Sequence, residues 1–161
     1  GGSLYLGNGV PAAAALSASG NTYSYGLSAW WMPEESGFIP SISAGWGLTD
    51  IPDPSVANVK DATTQSWYVG LEWDDVFTDG NSLGFAFGQP TWVGKVSDDD
   101  GALGNVEDTP GYAWELFYKF QVTDNITVTP ALTWLTKPYS NDADLDQVDA
   151  VSGIIKTTFK F

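Results

Sequence analysis

From Val151 to Phe161 the chain alternates without a break. Val151, Gly153, Ile155, Thr157, Phe159 and Phe161 share one parity, and Ser152, Ile154, Lys156, Thr158 and Lys160 share the other. A period of two is that of a β-strand. The same test along the chain predicts strands near 21–32, 38–49, 64–75, 81–92, 111–122, 126–138 and 150–161, after a remnant near 3–6. Each complete strand is long enough to cross a bilayer, which takes about 9 to 11 tilted residues. The links 33–37, 76–80 and 123–125 are short and rich in turn residues, whereas 7–20, 50–63, 93–110 and 139–149 are long. Short and long links alternate. In an antiparallel meander this gathers the turns at one end and the loops at the other, the asymmetry of a transmembrane barrel. A Greek-key sandwich has no reason to sort its links in this way.

The two parities differ in kind. Trp67, Val69, Leu71 and Trp73 oppose Ser66, Tyr68, Gly70, Glu72 and Asp74. Tyr112, Trp114, Leu116, Tyr118, Phe120 and Val122 oppose Ala113, Glu115, Phe117, Lys119 and Gln121, and Ile126, Val128, Pro130, Leu132 and Trp134 oppose Thr127, Thr129, Ala131, Thr133 and Lys137. The charges Glu72, Asp74, Glu115, Lys119 and Lys137 fall on the polar parity. A lysine on the lipid side near mid-membrane costs about 2 to 4 kcal/mol, so the aromatic parity is the one expected to face lipid. Trp30, Trp31, Trp73, Tyr118, Phe120, Phe159 and Phe161 fall near the turn ends, and Trp67, Trp92, Trp114 and Trp134 near the loop ends, as two aromatic girdles would. Trp46 fits neither girdle, and Pro130 lacks the donor a strand interior needs.

Composition narrows the function. The 161 residues contain no cysteine and no histidine, carry a net charge of −14, and include six basic residues, all lysine. Thiol catalysis, zinc ribbons and the usual general base are absent, and a phosphate backbone would be repelled, so nucleic acid is not an expected partner. No run of about 18 apolar residues could form a membrane helix. The opening residues lack the basic region and apolar core of a signal peptide, so the chain reads as mature, trimmed or partial.

Several segments, in order, carry a family resemblance: YSYGLSAWWMPEESGFIPSISAGWGLT from Tyr23 to Thr49, then SWYVGLEWDDVF, LGFAFGQP and the closing IIKTTFKF. Together they resemble the carboxy-terminal half of cyanobacterial outer-membrane porins of the OprB (carbohydrate-selective porin) or Som type. The resemblance implies an all-β, antiparallel transmembrane β-barrel, the chain being one segment, 1–161, of a 16-stranded porin. It also implies an amino-terminal surface-layer-homology segment, which this sequence does not contain. In that family the terminal aromatic belongs to the signal read by the barrel-assembly machinery, and Phe159 and Phe161 match it. The partners implied are outer-membrane lipid and lipopolysaccharide, the remaining strands and that machinery, with a homotrimer open as an assembly.

The expected function is passive diffusion of small hydrophilic solutes, inorganic ions and sugars, with no catalytic residue and no cofactor. Tyr68, Glu72, Asp74, Glu115, Phe117, Lys119, Lys137, Lys156 and Lys160 are the pore-lining candidates, with Tyr68 and Phe117 as a platform for a sugar. Pairs such as Glu115 with Lys137 or Lys156 would equally serve to tie strands together. Asp50, Asp53, Asp61, Asp98, Asp99, Asp100, Glu107, Asp108, Asp142, Asp144, Asp146 and Asp149 make the long loops an acidic mouth, set against Lys60 and Lys95. Asp142, Asp144 and Asp146 resemble the start of a calcium loop but lack its glycine and late glutamate, so no dedicated metal site is expected. Two other classes compete: a non-conducting small barrel serving as anchor or adhesin, and a soluble lipocalin-like binding barrel.

Overall fold

The structure, a computed structural model, describes residues 21–35, 37–54, 59–98, 111–137 and 149–161. The alternating segments all form strands: β1 Tyr23–Trp31, β2 Ser41–Pro52, β3 Val59–Asp74, β4 Ser82–Asp98, β5 Ala113–Thr123, β6 Ile126–Leu135 and β7 Ala150–Phe159. They build one seven-stranded sheet in the order β1-β2-β3-β4-β5-β6-β7, with every neighbouring pair antiparallel. The chain is therefore all-β in these residues, as a porin meander requires. The remnant near 3–6 lies outside them.

Two boundaries differ from the sequence expectation. The link expected at 50–63 is largely ladder, because β2 and β3 stay paired out to Pro52 and Asp61. β4 likewise continues to Asp98. As a result the link 53–58 is shorter than the turn-side link 32–40, so loop length does not alternate at the first hairpin.

The extension explains itself through polarity. Below it, Ile42, Ala44, Trp46 and Leu48 share a face with Trp67, Val69, Leu71 and, on β4, Leu83, Phe85 and Phe87. Above it the same face carries Asp50, Thr63 and Lys95, joined by pairing across the sheet. The opposite face changes in the other sense, from Ser43, Gly45 and Gly47 to Ile51, Ala62, Val93 and Val96, all buried and clustered with Val59. Register shifts in the β3–β4 ladder, at Val59/Asp61, Thr63/Thr64 and Gln65/Trp67, occupy this zone. The sheet thus exchanges its apolar side from one face to the other along the length of β2, β3 and β4. From Thr63 to the end of β3 is about 12 residues, or about 40 Å of strand, which a tilt of about 40° reduces to about 30 Å, close to the apolar band of an outer-membrane barrel. Asp50, Asp61 and Lys95 thus stand on strands, not loops, and on the aromatic parity beyond the band.

The other irregularities have local causes. Pro130 pairs with Ile155 on β7 without a break, while the β5–β6 ladder passes from Phe117↔Ala131 to Phe120↔Val128 and leaves out the positions opposite Pro130 and Thr129. The missing donor is thus confined to one side of β6. The link 75–81 puts Asp75, Phe77 and Gly80 at positive φ of 57°, 64° and 83°. It is held by Gly80 N donating to Asp75 Oδ1 at 2.8 Å and by Asn81, whose side chain donates to Tyr118 Oη and accepts from Gln121 N.

Candidate pore-lining face

Residues directly opposed in antiparallel strands point to the same side. One row runs across the whole sheet as Trp30, Ser43, Gly70, Ala86, Glu115, Thr133 and Ser152. The next row towards the turns holds Ser41, Glu72, Gly84, Phe117, Ala131 and Ile154, and beyond it stand Asp74, Ser82 and Lys119. The row on the loop side holds Ser28, Gly45, Tyr68, Gly88 and Ala113. Six of the nine pore-lining candidates, Tyr68, Glu72, Asp74, Glu115, Phe117 and Lys119, therefore share one polar face. Lys156 is on it too, opposite Thr129, four residues along β7 from Ser152 in the Glu115 row.

The opposite face is apolar and exposed. Leu27, Leu116, Leu132, Trp134 and Ile155 stand open on it, while Glu115 on the polar side is 8% exposed. Water would drive this arrangement the other way round. Near the loop end the face carries an aromatic cluster in which Phe87 meets Trp67, Trp114 and Tyr112 at centroid distances of 5.4, 4.0 and 5.3 Å. Trp46 lies opposite Trp67, so register assigns it to this girdle, which its position along the strand had hidden. Near the turn end Tyr118 packs against Phe120 and Phe77.

Three placements correct the sequence reading. Trp30 pairs with Ser43 and so joins the polar face, whereas Trp31 pairs with Ile42 and stays on the apolar one; only one of the two is a girdle residue. Lys137 lies past the end of β6 in a left-handed conformation, φ 46°, rather than within a strand. Lys160 and Phe161 lie past β7, where Lys160 N donates to Asn125 O at 2.8 Å and Asn125 Nδ2 donates to Lys160 O at 2.7 Å, which ties the end of the chain to the β5–β6 turn. Asp142, Asp144 and Asp146 lie outside the described residues, as do Asp99, Asp100, Glu107 and Asp108.

On the polar face Trp30, Ser43, Gly70, Glu72, Glu115 and Phe117 are among the residues around a cleft of about 260 Å³ that also reaches Asp74. Its floor is open because β2, β3 and β4 contribute only Ser43, Gly70 and Ala86 in the middle row. Phe117 leans across Gly84, where a Cβ would run into the ring, and Tyr68 lies in the same manner on Gly45. Each glycine thus makes room for an aromatic from the next strand. Lys119 Nζ stands 3.9 Å from Glu72 Oε1, reaching across β4, and Ser82 Oγ donates to Asp74 Oδ1 at 2.9 Å. An open pair at that distance adds little stability and chiefly shapes the local field. Trp30 could have been found from the sequence by carrying the β1–β2 register through the PEESG turn.

Known proteins match this pattern. The chain is 36% identical over 153 residues to an uncharacterized protein, alr4550, of Nostoc sp. strain PCC 7120, an alignment covering 91% of the chain and 23% of that protein. It is 34% identical over 131 residues to an uncharacterized protein, sll0772, of Synechocystis sp. strain PCC 6803, covering 78% of the chain and again 23% of the relative. The chain therefore spans about a quarter of the length of the curated relatives it matches. No solved structure matches it. The model of the carbohydrate-selective porins matches residues 4–161, nearly the whole chain, and with the inverted faces of the sheet this identifies the chain as a member of the OprB family.

Proposed function

We propose that these strands are the carboxy-terminal part of the wall of an outer-membrane pore through which small hydrophilic solutes, sugars and inorganic ions, pass by diffusion. The observation that carries the reading is the inversion of the sheet: large apolar side chains on the open face, carboxylates, hydroxyls and glycines on the other, with both preferences exchanged above the Thr63 row. β1 and β7 each have a strand neighbour on one side only among the described residues. Unpaired strand edges are not sustainable in hydrocarbon, so the remaining strands of the longer protein would complete the ring. Lipid and lipopolysaccharide would surround the apolar face, and the barrel-assembly machinery would read the end at Phe159 and Phe161. Within the wall Glu72, Asp74, Glu115, Phe117 and Lys119 line the path, and no residue is asked to do chemistry.

The test is conductance of the full-length protein in planar bilayers. Stepwise, ohmic channels that also admit sugars in vesicle-swelling assays are expected, with a mild cation preference that fades as the Debye length falls from about 30 Å at 0.01 M salt to about 3 Å at 1 M. A folded protein that inserts and does not conduct would instead be the side-chain-filled anchor.

A further inference from the structure

We propose that the turn end of the apolar face holds one phospholipid with an amine-bearing, zwitterionic headgroup, seated between the phenylalanine tips Phe38 and Phe77 and a trough that ends at Pro130 and Gly153. The inference rests on the membrane reading above and deepens it by giving one part of the lipid-facing wall a defined occupant.

The tips are the first argument. Phe38 in the link 32–40 and Phe77 in the link 75–81 are 97% and 92% exposed, and both lie past the girdle residues Trp73 and Tyr118. Interfacial tryptophan and tyrosine ordinarily turn their polar ends to water or headgroups. Here those ends hold the turns instead: Trp73 Nε1 donates to Phe38 O at 3.0 Å, and Tyr118 Oη donates to Val76 O at 2.7 Å. The Phe77 ring stands 6.1 Å from that of Tyr118, on the apolar side of the sheet, and its backbone has a φ of 64° that a bulky residue rarely adopts. Water gives no reason to fix two bare rings in this way, and backbone strain of this kind clusters at ligand clamps.

Beside the tips the wall is hollow. One recess of about 590 Å³ is bordered by Phe38, Trp73, Val76 and Leu83, and a second of about 600 Å³ by Leu83, Leu116, Tyr118, Pro130 and Gly153. Leu83 borders both, so they make one trough, continuous with the apolar face that meets the membrane. Pro130 and Gly153 leave its floor low beside Leu132 and Ile155, their partners across the β6–β7 ladder. The residue that removes a ladder donor thus shapes a floor on which an acyl chain fits.

Charge selects the headgroup. The links 32–40 and 75–81 carry Glu34, Glu35, Asp75 and Asp79, all exposed, and no lysine. Lys119 is on the opposite face with Glu72 at 3.9 Å, and Lys160 belongs to the next turn, bonded through its backbone to Asn125. These carboxylates repel a headgroup whose only charge is its phosphate, and attract an ammonium carried beside one.

The experiment is native mass spectrometry of the full-length protein in detergent, titrated with dioleoylphosphatidylethanolamine or dioleoylphosphatidylglycerol. One ethanolamine lipid should be retained along a saturating curve, about tenfold more tightly than the glycerol lipid, equivalent to about 1.4 kcal/mol. Phe38→Ser and Phe77→Ser should each weaken its retention about tenfold. Gly153→Leu, which fills the trough without touching the tips, carries the same expectation and serves if a tip variant fails to assemble. The triple variant Glu34→Gln/Glu35→Gln/Asp79→Asn should bind both lipids alike, and Trp46→Ala, at the loop end of the same face, should change nothing. Retention that never saturates, equal for the two lipids and unaltered by the tip and trough variants, would overturn the site and leave the lipid-facing wall. A protein that stays monodisperse without detergent and retains neither lipid would overturn both.

Discussion

Replacing Leu132 by lysine separates a lipid-facing sheet from a soluble one more sharply than any other single change. Leu132 is 60% exposed on the apolar face, in a row with Leu71, Phe85 and Leu116 that runs within the band. If that face met water, exchanging an open leucine for lysine would move stability by no more than about 0.5 kcal/mol, as surface changes generally do. If it meets hydrocarbon near the midplane, the cost is about 2 to 4 kcal/mol, or about 30-fold to about 900-fold in the folding equilibrium. Two companion variants calibrate the result. Thr133→Lys, one residue along β6, points to the polar face opposite Glu115 and should cost little. Thr63→Lys lies on the same face as Leu132 but above the polarity exchange, beside Lys95, and should also cost little. The assay is reversible denaturant unfolding of the full-length protein in lipid vesicles, followed by tryptophan fluorescence, with outer-membrane yield as a second readout. Equal small costs for all three variants, or a large cost at Thr133 and none at Leu132, would refute the assignment of the faces.

Three further outcomes follow from particular contacts. Gly84→Ala should destabilise by about 1 to 3 kcal/mol because the new methyl meets the Phe117 ring, and the double variant Gly84→Ala/Phe117→Ala should recover part of that loss in a denaturation cycle. Asn81→Ala removes a buried side chain that donates to Tyr118 and accepts from Gln121 N, so stability should fall by about 1 to 3 kcal/mol with single-channel conductance unchanged. Deleting Phe161, which stands exposed past β7, should reduce outer-membrane yield sharply while assembled pores conduct as before; normal yield would make it one more interfacial aromatic.

The alternation was enough to specify seven strands and, for most positions, which side faces what, because period two is a local property and each strand carries its own copy of it. The resemblance of the quoted segments to OprB porins was legible for the same reason: it lies in contiguous runs of residues. What the sequence did not disclose depends on pairing between strands. Trp30 and Trp31 are chemically alike, and as neighbours in a strand they must face opposite ways; their partners, Ser43 and Ile42, show which one joins the polar face. Trp46 looked misplaced until it met Trp67 across the β2–β3 ladder. The strand extension at 50–63 was hidden because, past Thr49, apolar residues change parity and the β3–β4 ladder shifts register, so a search for one continuous alternation loses its phase where the two faces exchange polarity. The cleft was the least legible feature. Its floor is one residue from each of three strands, Ser43, Gly70 and Ala86, far apart in the chain and unremarkable singly. Hydrophobic patterning selects the strand and its face, but only the long-range register decides which small residues line up to leave an opening and which rings border it.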